Sequence, residues 1–227
     1  MIDLRNYRII DLTEEMRPGI MKVNHRYLHR VDTVSPNRRL ELVQFIYQPN
    51  DDFMHQVYTE THIGTHVEVS SHLNFDKTQP YGKEGGMNCA EFPIETWLGA
   101  CCVLDFTYKK PINGVGQSII AKDCEPVKNQ DIVLMRSPYR GRERPYLTAE
   151  AQQHLIDKHI KQWGFQGVSW GSDPDGHDVF QLNNIPIIEG LVNLDKIKRQ
   201  RVFYIGTVLK WVGLDACWLR AIVLEER

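Results

Sequence analysis

Cysteine is sparse in this 227-residue chain and poorly spaced for chemistry. Cys89, Cys101, Cys102, Cys124 and Cys217 are odd in number and show no CxxC spacing, which argues against both a disulfide framework and a thiolate zinc site. Buried, unreactive thiols are the expectation. Long apolar runs are missing too: none approaches the roughly 20 residues needed to cross a bilayer. The opening Met1-Ile2-Asp3-Leu4-Arg5 has no basic segment followed by an apolar stretch, so a cytoplasmic protein without membrane attachment is expected. Nor is there an excess of charge of one sign. With 27 Lys and Arg against 29 Asp and Glu, the net charge is -2, and nothing electrostatic points to nucleic acid. Internal repeats, low-complexity stretches and Pro/Ser-rich linkers are absent, which predicts one domain over residues 1–227, long enough to bury a full core without cross-links.

What is present is a series of short apolar, β-rich runs. They cover Tyr7 to Leu12, Leu40 to Tyr47, Ala100 to Phe106, Asp131 to Met135, Gly167 to Trp170, Ile185 to Ile188, Val202 to Thr207 and Leu219 to Glu225, several bounded by turn-forming residues. One clear helix is predicted from Thr148 to Trp163, where Ala151, Leu155, His159 and Trp163 repeat every four residues behind a Thr148 cap. A second, shorter helix is predicted over Pro93 to Trp97. Many strands and few helices indicate a mixed α/β domain rich in sheet.

The segment that carries chemistry runs from Thr61 to His72. Read as extended chain, it sets His62, Gly64, His66, Glu68, Ser70 and His72 on one face and Ile63, Val67 and Val69 on the other. A strand with one side on a core and the other lining a cavity needs this alternation, and its β-branched residues agree with it. A helix would also pair His62 with His66, but Gly64 and so many β-branched residues oppose that. Four residues of straight strand span roughly 13 Å, about the limit for two imidazoles to share one ion at about 2.1 Å. A bend or bulge is therefore predicted at Gly64. Imidazole nitrogen beside carboxylate oxygen suits Zn, Mn or Fe(II), and such mixed sites with open positions are catalytic ones. The isolated His25, His29, His55, His154 and His159 are read as ordinary surface or core residues.

With its His62-x-Gly64-Thr65-His66-x-Glu68-x-Ser70-x-His72 pattern, the segment resembles the HxGTHxDxPxH signature of the cyclase family of metal-dependent hydrolases, which includes bacterial kynurenine formamidase and isatin hydrolase. The resemblance extends over nearly the whole chain. Ile10-Asp11-Leu12-Thr13, Asp131 to Arg136, and Val212 to Ala216 with Arg220-Ala221 look like further family segments. His177, followed twelve residues later by Glu189, looks like a second signature. The resemblance implies a swivelling β/β/α fold and a homodimer or homotetramer. It implies His62, His66 and Glu68 as ligands of one divalent metal, Zn or Mn. Glu68, His177 and Glu189 would hold a second ion or complete a shared site. His72 takes the place of the family's proton-transfer histidine outside the ligand set. Glu68 replaces the usual Asp, and Ser70 replaces a Pro, a change expected to free a backbone N–H and relax the loop carrying His72.

These groups predict hydrolysis of a small amide, N-formyl or cyclic, by metal-activated water, with His72 as acid/base and Glu189 orienting water or acting as a ligand. The alternatives are a lactone or ester hydrolase, a metal-dependent cyclase or dehydratase, and a catalytically weakened metal- or small-molecule-binding protein. Trp97, Phe45, Phe53, Tyr139 and Trp211 are available as pocket walls. The arginine-rich run from Arg136 to Arg144 reads either as a fork for a substrate carboxylate or as a solvated loop.

Overall fold

The computed structural model describes residues 3–16, 40–47, 52–73, 86–171 and 175–227. Its centre is a nine-stranded sheet. In chain order the strands of the described residues are β1 (Tyr7–Asp11), β2 (Glu41–Tyr47), β3 (Asp52–Tyr58), β4 (His66–Glu68), β5 (Leu98–Asp105), β6 (Ser118–Ile119), β7 (Ile132–Arg136), β8 (Tyr146–Leu147), β9 (Gln162–Gln166), β10 (Ile187–Glu189), β11 (Arg201–Ile205), β12 (Ala216–Trp218) and β13 (Ile222–Glu226). The large sheet runs β1-β13-β11-β5-β7-β9-β10-β4-β12, while β2 with β3 and β6 with β8 form separate pairs. Strands β5, β7, β9 and β10 lie parallel, and their neighbours on either side are antiparallel. This is the mixed sheet with few helices that the composition of elements indicates, with two α-helices among the described residues: α1 (Ala149–Asp157) and α2 (Gly176–Leu182).

The central strands are apolar on both sides because both sides are covered. In β7, Ile132, Val133, Leu134 and Met135 are all fully buried, as expected of a parallel strand between two layers. Val133 and Met135 face the layer that holds Trp163, Phe165, Leu155 of α1 and Phe180 of α2. Ile132 and Leu134 face the opposite layer with Val67, Val69 and Ile188. The five cysteines are free and buried in these layers, and burial pushes the Cys89 and Cys124 thiols up to about 12. No helix of the described residues is long and apolar enough to cross a membrane.

Three expectations about local structure need correction. Helix α1 starts where predicted, with Thr148 Oγ1 accepting from Ala151 N at 3.3 Å, but it stops at Asp157. His159 takes a left-handed φ of 47°, which ends a helix, and Trp163 belongs to β9. The four-residue repeat crossed a boundary and mixed a helix with a strand. The strand predicted from Gly167 to Trp170 lies earlier, at β9. Gly167 turns the chain with φ 72°, and Ser169 makes only an isolated bridge to Tyr146. The stretch from His62 to His72 is extended only over β4, flanked by bends before it and a 3-10 turn, Ser70–His72, after it. The bend expected at Gly64 is present, with φ 64°.

Candidate functional site

The site is built on the far side of the sheet's antiparallel end. Strand β4 pairs with β10 so that Glu189 stands opposite His66 and Ile187 opposite Glu68. Strand β12 closes its other edge. Paired residues share a face of a sheet and alternate along each strand, so His66, Glu68 and Glu189 project together. Val67 and Val69 are completely buried in the layer that holds Ile132 and Leu134, as the apolar half of the alternation requires, whereas Ile63, in the bend before β4, is buried in a separate cluster with Leu40. The bend at Gly64 brings His62 back beside them, its ring centroid 5.3 Å from that of His66. From a different element, His177 enters on the first turn of α2, where Asp175 caps its backbone N–H at 3.0 Å.

These side chains meet at Glu68. Its Oε1 lies 2.7 Å from His62 Nδ1 and 3.3 Å from His66 Nε2, and its Oε2 lies 2.8 Å from His177 Nε2. Glu189 Oε2 stands 3.9 Å from His66 Nε2. Burial works against ionisation of Glu68, but the hydrogen bonds from His177, His62 and His66 outweigh it and hold the carboxyl well below the usual range. Burial likewise opposes charge on His62, yet Asp215 and Glu68 raise it to about 9. His177 reaches about 9 in the same way, burial being overcome by Glu68 and Asp178.

Two overlapping groups of atoms have the spacing of a metal's ligands: His62, Glu68 and His72, and His66, Glu68 and Glu189, the atoms of each within 4.8 Å of one another. His66 shows why a cation fits. Its Nδ1–H donates to the carbonyl of Gly64 at 3.0 Å, which turns Nε2 to two carboxylates, Glu68 at 3.3 Å and Glu189 at 3.9 Å. A ring nitrogen and carboxylate oxygens gathered this way can share a positive ion, and a backbone carbonyl on the other nitrogen is the usual device for fixing a metal-binding histidine.

His72, expected outside the ligand set, stands within reach of the same point as His62 and Glu68. Its ring centroid lies 4.4 Å from that of His62. Ser70 ties the turn that carries His72 rather than loosening it: its hydroxyl donates to Asn184 Oδ1 at 2.7 Å and accepts Met87 N at 2.9 Å.

Two participants escape a reading of the sequence. Asp215 Oδ2 lies 2.9 Å from both His62 Nε2 and His72 Nδ1, and its Oδ1 accepts from Thr61 Oγ1 at 3.3 Å. Burial opposes its charge, but the two histidines draw its pKa far below the usual carboxylate value. Gln181, one turn after His177, donates to Glu68 Oε2 at 3.4 Å. Asp215 sits in the Val212 to Ala216 segment, where nothing but an isolated carboxylate marked it.

The aromatic residues considered as pocket walls divide. Trp97 is core, packed on Phe92 at 5.6 Å, and so is not a wall. Trp211 is half exposed. Tyr139 lines a cavity beside the sheet. The side chains of Phe45 and Phe53 lie outside the description, as do His25 and His29.

The Cyclase family model matches residues 10–172. A kynurenine formamidase from Erythrobacter litoralis (strain HTCC2594) is 25% identical over 236 residues, covering 96% of this chain and 94% of that protein. Among solved structures, isatin hydrolase A from Labrenzia aggregata superposes with a TM-score of 0.72 at 20% identity, over 98% of this chain and 95% of that one. A protein described as a predicted metal-dependent hydrolase from Bacillus stearothermophilus gives a TM-score of 0.65 at 19% identity, over 97% and 99%. Likenesses at this identity concern the fold.

Proposed function

The chain belongs to the Cyclase family, and from that premise and the cluster around Glu68 we propose a metal-dependent hydrolase acting on a small N-formyl or cyclic amide. The observation that carries the reading is His66: Nε2 turned to Glu68 and Glu189, with the other ring nitrogen given to the Gly64 carbonyl. His62, His66 and Glu68 would hold the divalent ion, Zn or Mn, with His177 and Glu189 completing the shell. When bound, the ion supplies a polarised carbonyl and a more acidic water near neutral pH.

The chain's own groups account for the proton traffic. With Asp215 on its Nδ1, His72 has Nε2 free to take a proton from water and return it to the leaving nitrogen. Its side chain is about one-third exposed, at 31%, so a substrate can reach it. Asp215 fixes the tautomer and tilt of both His62 and His72 from one oxygen. Glu189, at the end of β10, orients the attacking water or adds a ligand oxygen. The names of the relatives, a formamidase and an isatin hydrolase, support an amide in preference to a lactone.

Metal analysis of protein purified without chelator, followed by a panel of formamides, cyclic amides and lactones, tests this directly. Bound divalent metal and turnover of an amide that is lost in His72→Ala are expected. A metal-free protein, or turnover unchanged in His72→Ala, overturns the reading.

A further inference from the structure

The parallel strands β5, β7 and β9 end side by side at Asp105, Arg136 and Gln166, the edge of an open α/β sheet where ligands collect. Beyond those ends lies a cavity of about 730 Å³, a size typical of small-molecule sites. One wall is cationic, formed by Arg136 and by Arg140 and Arg144 of the following loop. Arg136 gives Nη2 to Asp105 Oδ2 at 2.5 Å, while its Nε is buried with no hydrogen-bond partner among the described residues. The exposed guanidinium of Arg140 makes no hydrogen bond or ion pair among the described residues. Gln166 spends Oε1 on Leu194 N at 3.0 Å, which leaves its amide N–H groups for a ligand.

Glu14 and Asp195 stand on other elements of the lining, and with Asp105 on Arg136 three anions stand around the three cations, of which the Arg140 guanidinium alone makes no ion pair or hydrogen bond among the described residues. Leu191, Val192 and Pro138 add apolar surface. Thr65 Oγ1 donates to Gly190 O at 2.8 Å and accepts Glu14 N at 2.7 Å, tying the rim of the cavity to the strand pair that carries His66 and Glu189.

We propose that this cavity binds a small organic carboxylate with an apolar body. The carboxylate is held by Arg140, since a guanidinium fork matches two carboxylate oxygens, and by the Gln166 amide, while Arg136, paired with Asp105, and Arg144, with its Nε on Gly141 O at 3.1 Å, add positive charge to the same wall. The apolar body lies against Leu191 and Val192. None of these groups belongs to the cluster around Glu68, so the site goes beyond the hydrolase reading and stands without it.

Calorimetric titration of the full chain with phenylacetate and with phenylacetamide, with and without EDTA, is the test. Phenylacetate is expected to bind at least about tenfold more tightly than the neutral amide, because a hydrogen-bonded charge is the difference. Binding should survive EDTA, which separates this site from a carboxylate held by metal. The double variant Arg140→Gln, Arg144→Gln should weaken it by about tenfold or more, and Arg140→Gln alone, at an exposed position, should weaken it measurably with an unchanged Tm. Equal binding of the two probes, loss of binding on chelation, no binding at millimolar concentration, or an unaltered affinity in the double variant each overturns the proposal. Metal content measured on the same samples judges the hydrolase reading separately.

Discussion

Glu68 takes hydrogen bonds from three imidazoles through two oxygens, and Glu68→Gln would keep its shape while removing its charge. We expect that variant to bind divalent metal more than about 100-fold more weakly, since changes just outside a ligand shell already cost roughly 10–100-fold. Glu68→Asp, which keeps the charge, should retain measurable metal, and competition titration distinguishes the two. Unchanged affinity in Glu68→Gln would mean the cluster is held only by its own hydrogen bonds. Asp215→Asn should weaken metal binding by about 10–100-fold, because Asp215 orients His62 and His72 from outside. His62, His66, Glu68 and His72 were legible because eleven consecutive residues carry them against an apolar alternation. Asp215 was not: it is 153 residues from His62, and a lone carboxylate in a loop carries no periodicity to mark it.

Gly64 and Gly190 both adopt left-handed φ, 64° and 68°, and both lie where the chain turns beside the site. A Cβ at Gly64 would meet Met16 Sδ at 2.6 Å, the far end of a flexible side chain. A Cβ at Gly190 would meet the backbone oxygen of Gly64 at 2.2 Å, which has nowhere to go. Each Ala carries the conformational cost of about 1–2 kcal/mol, but only Gly190→Ala must also separate two backbones. We therefore expect Gly190→Ala to lower Tm further than Gly64→Ala and to lose metal as well. Equal Tm values would show that β10 can move away from the Gly64 bend. At this scale the sequence announced the bend, the Thr148 cap and most strands, because each follows from a local pattern. It misplaced the end of α1, since His159 and Trp163 continue a helical spacing by coincidence after His159 has already turned the chain.

Across the whole molecule, the metal-free state stores positive charge at His62 and His177, both raised from 6.5 to about 9. A raised folded-state pKa stabilises the fold fully below the unfolded value and loses that contribution as pH climbs through about 9. Glu68 and Asp215 act the opposite way: held below the usual carboxylate range, they contribute above it and lose that contribution on acidification. Metal must displace the protons from its histidines. Metal-free protein should thus lose Tm between about pH 6.5 and pH 9, whereas apparent metal affinity should rise over the same interval. Differential scanning calorimetry and titration in buffers of different ionisation enthalpy measure both; a metal-free Tm that rises with pH would contradict the assignment. The two-sided burial of the central strands was legible in runs such as Ile132 to Met135. The order that sets β4 and β12 beyond β10 was not, because pairing between distant segments leaves no trace in the alternation of either.

The buried thiols are placed to act as reporters. Cys101 lies in one core layer and its neighbour Cys102 in the other, Cys124 packs in the helix-covered layer, Cys89 and Cys217 lie in the layer that contains Val67, and Cys217 is on the edge strand β12. A thiol-alkylating reagent can modify each only when its surroundings open, so five labelling rates read by mass spectrometry would record the order in which the molecule comes apart. If the metal cluster clamps β4, β10 and β12 together, adding metal should slow alkylation of Cys217 more than that of Cys124, turning an unreactive set of side chains into a clock for the site.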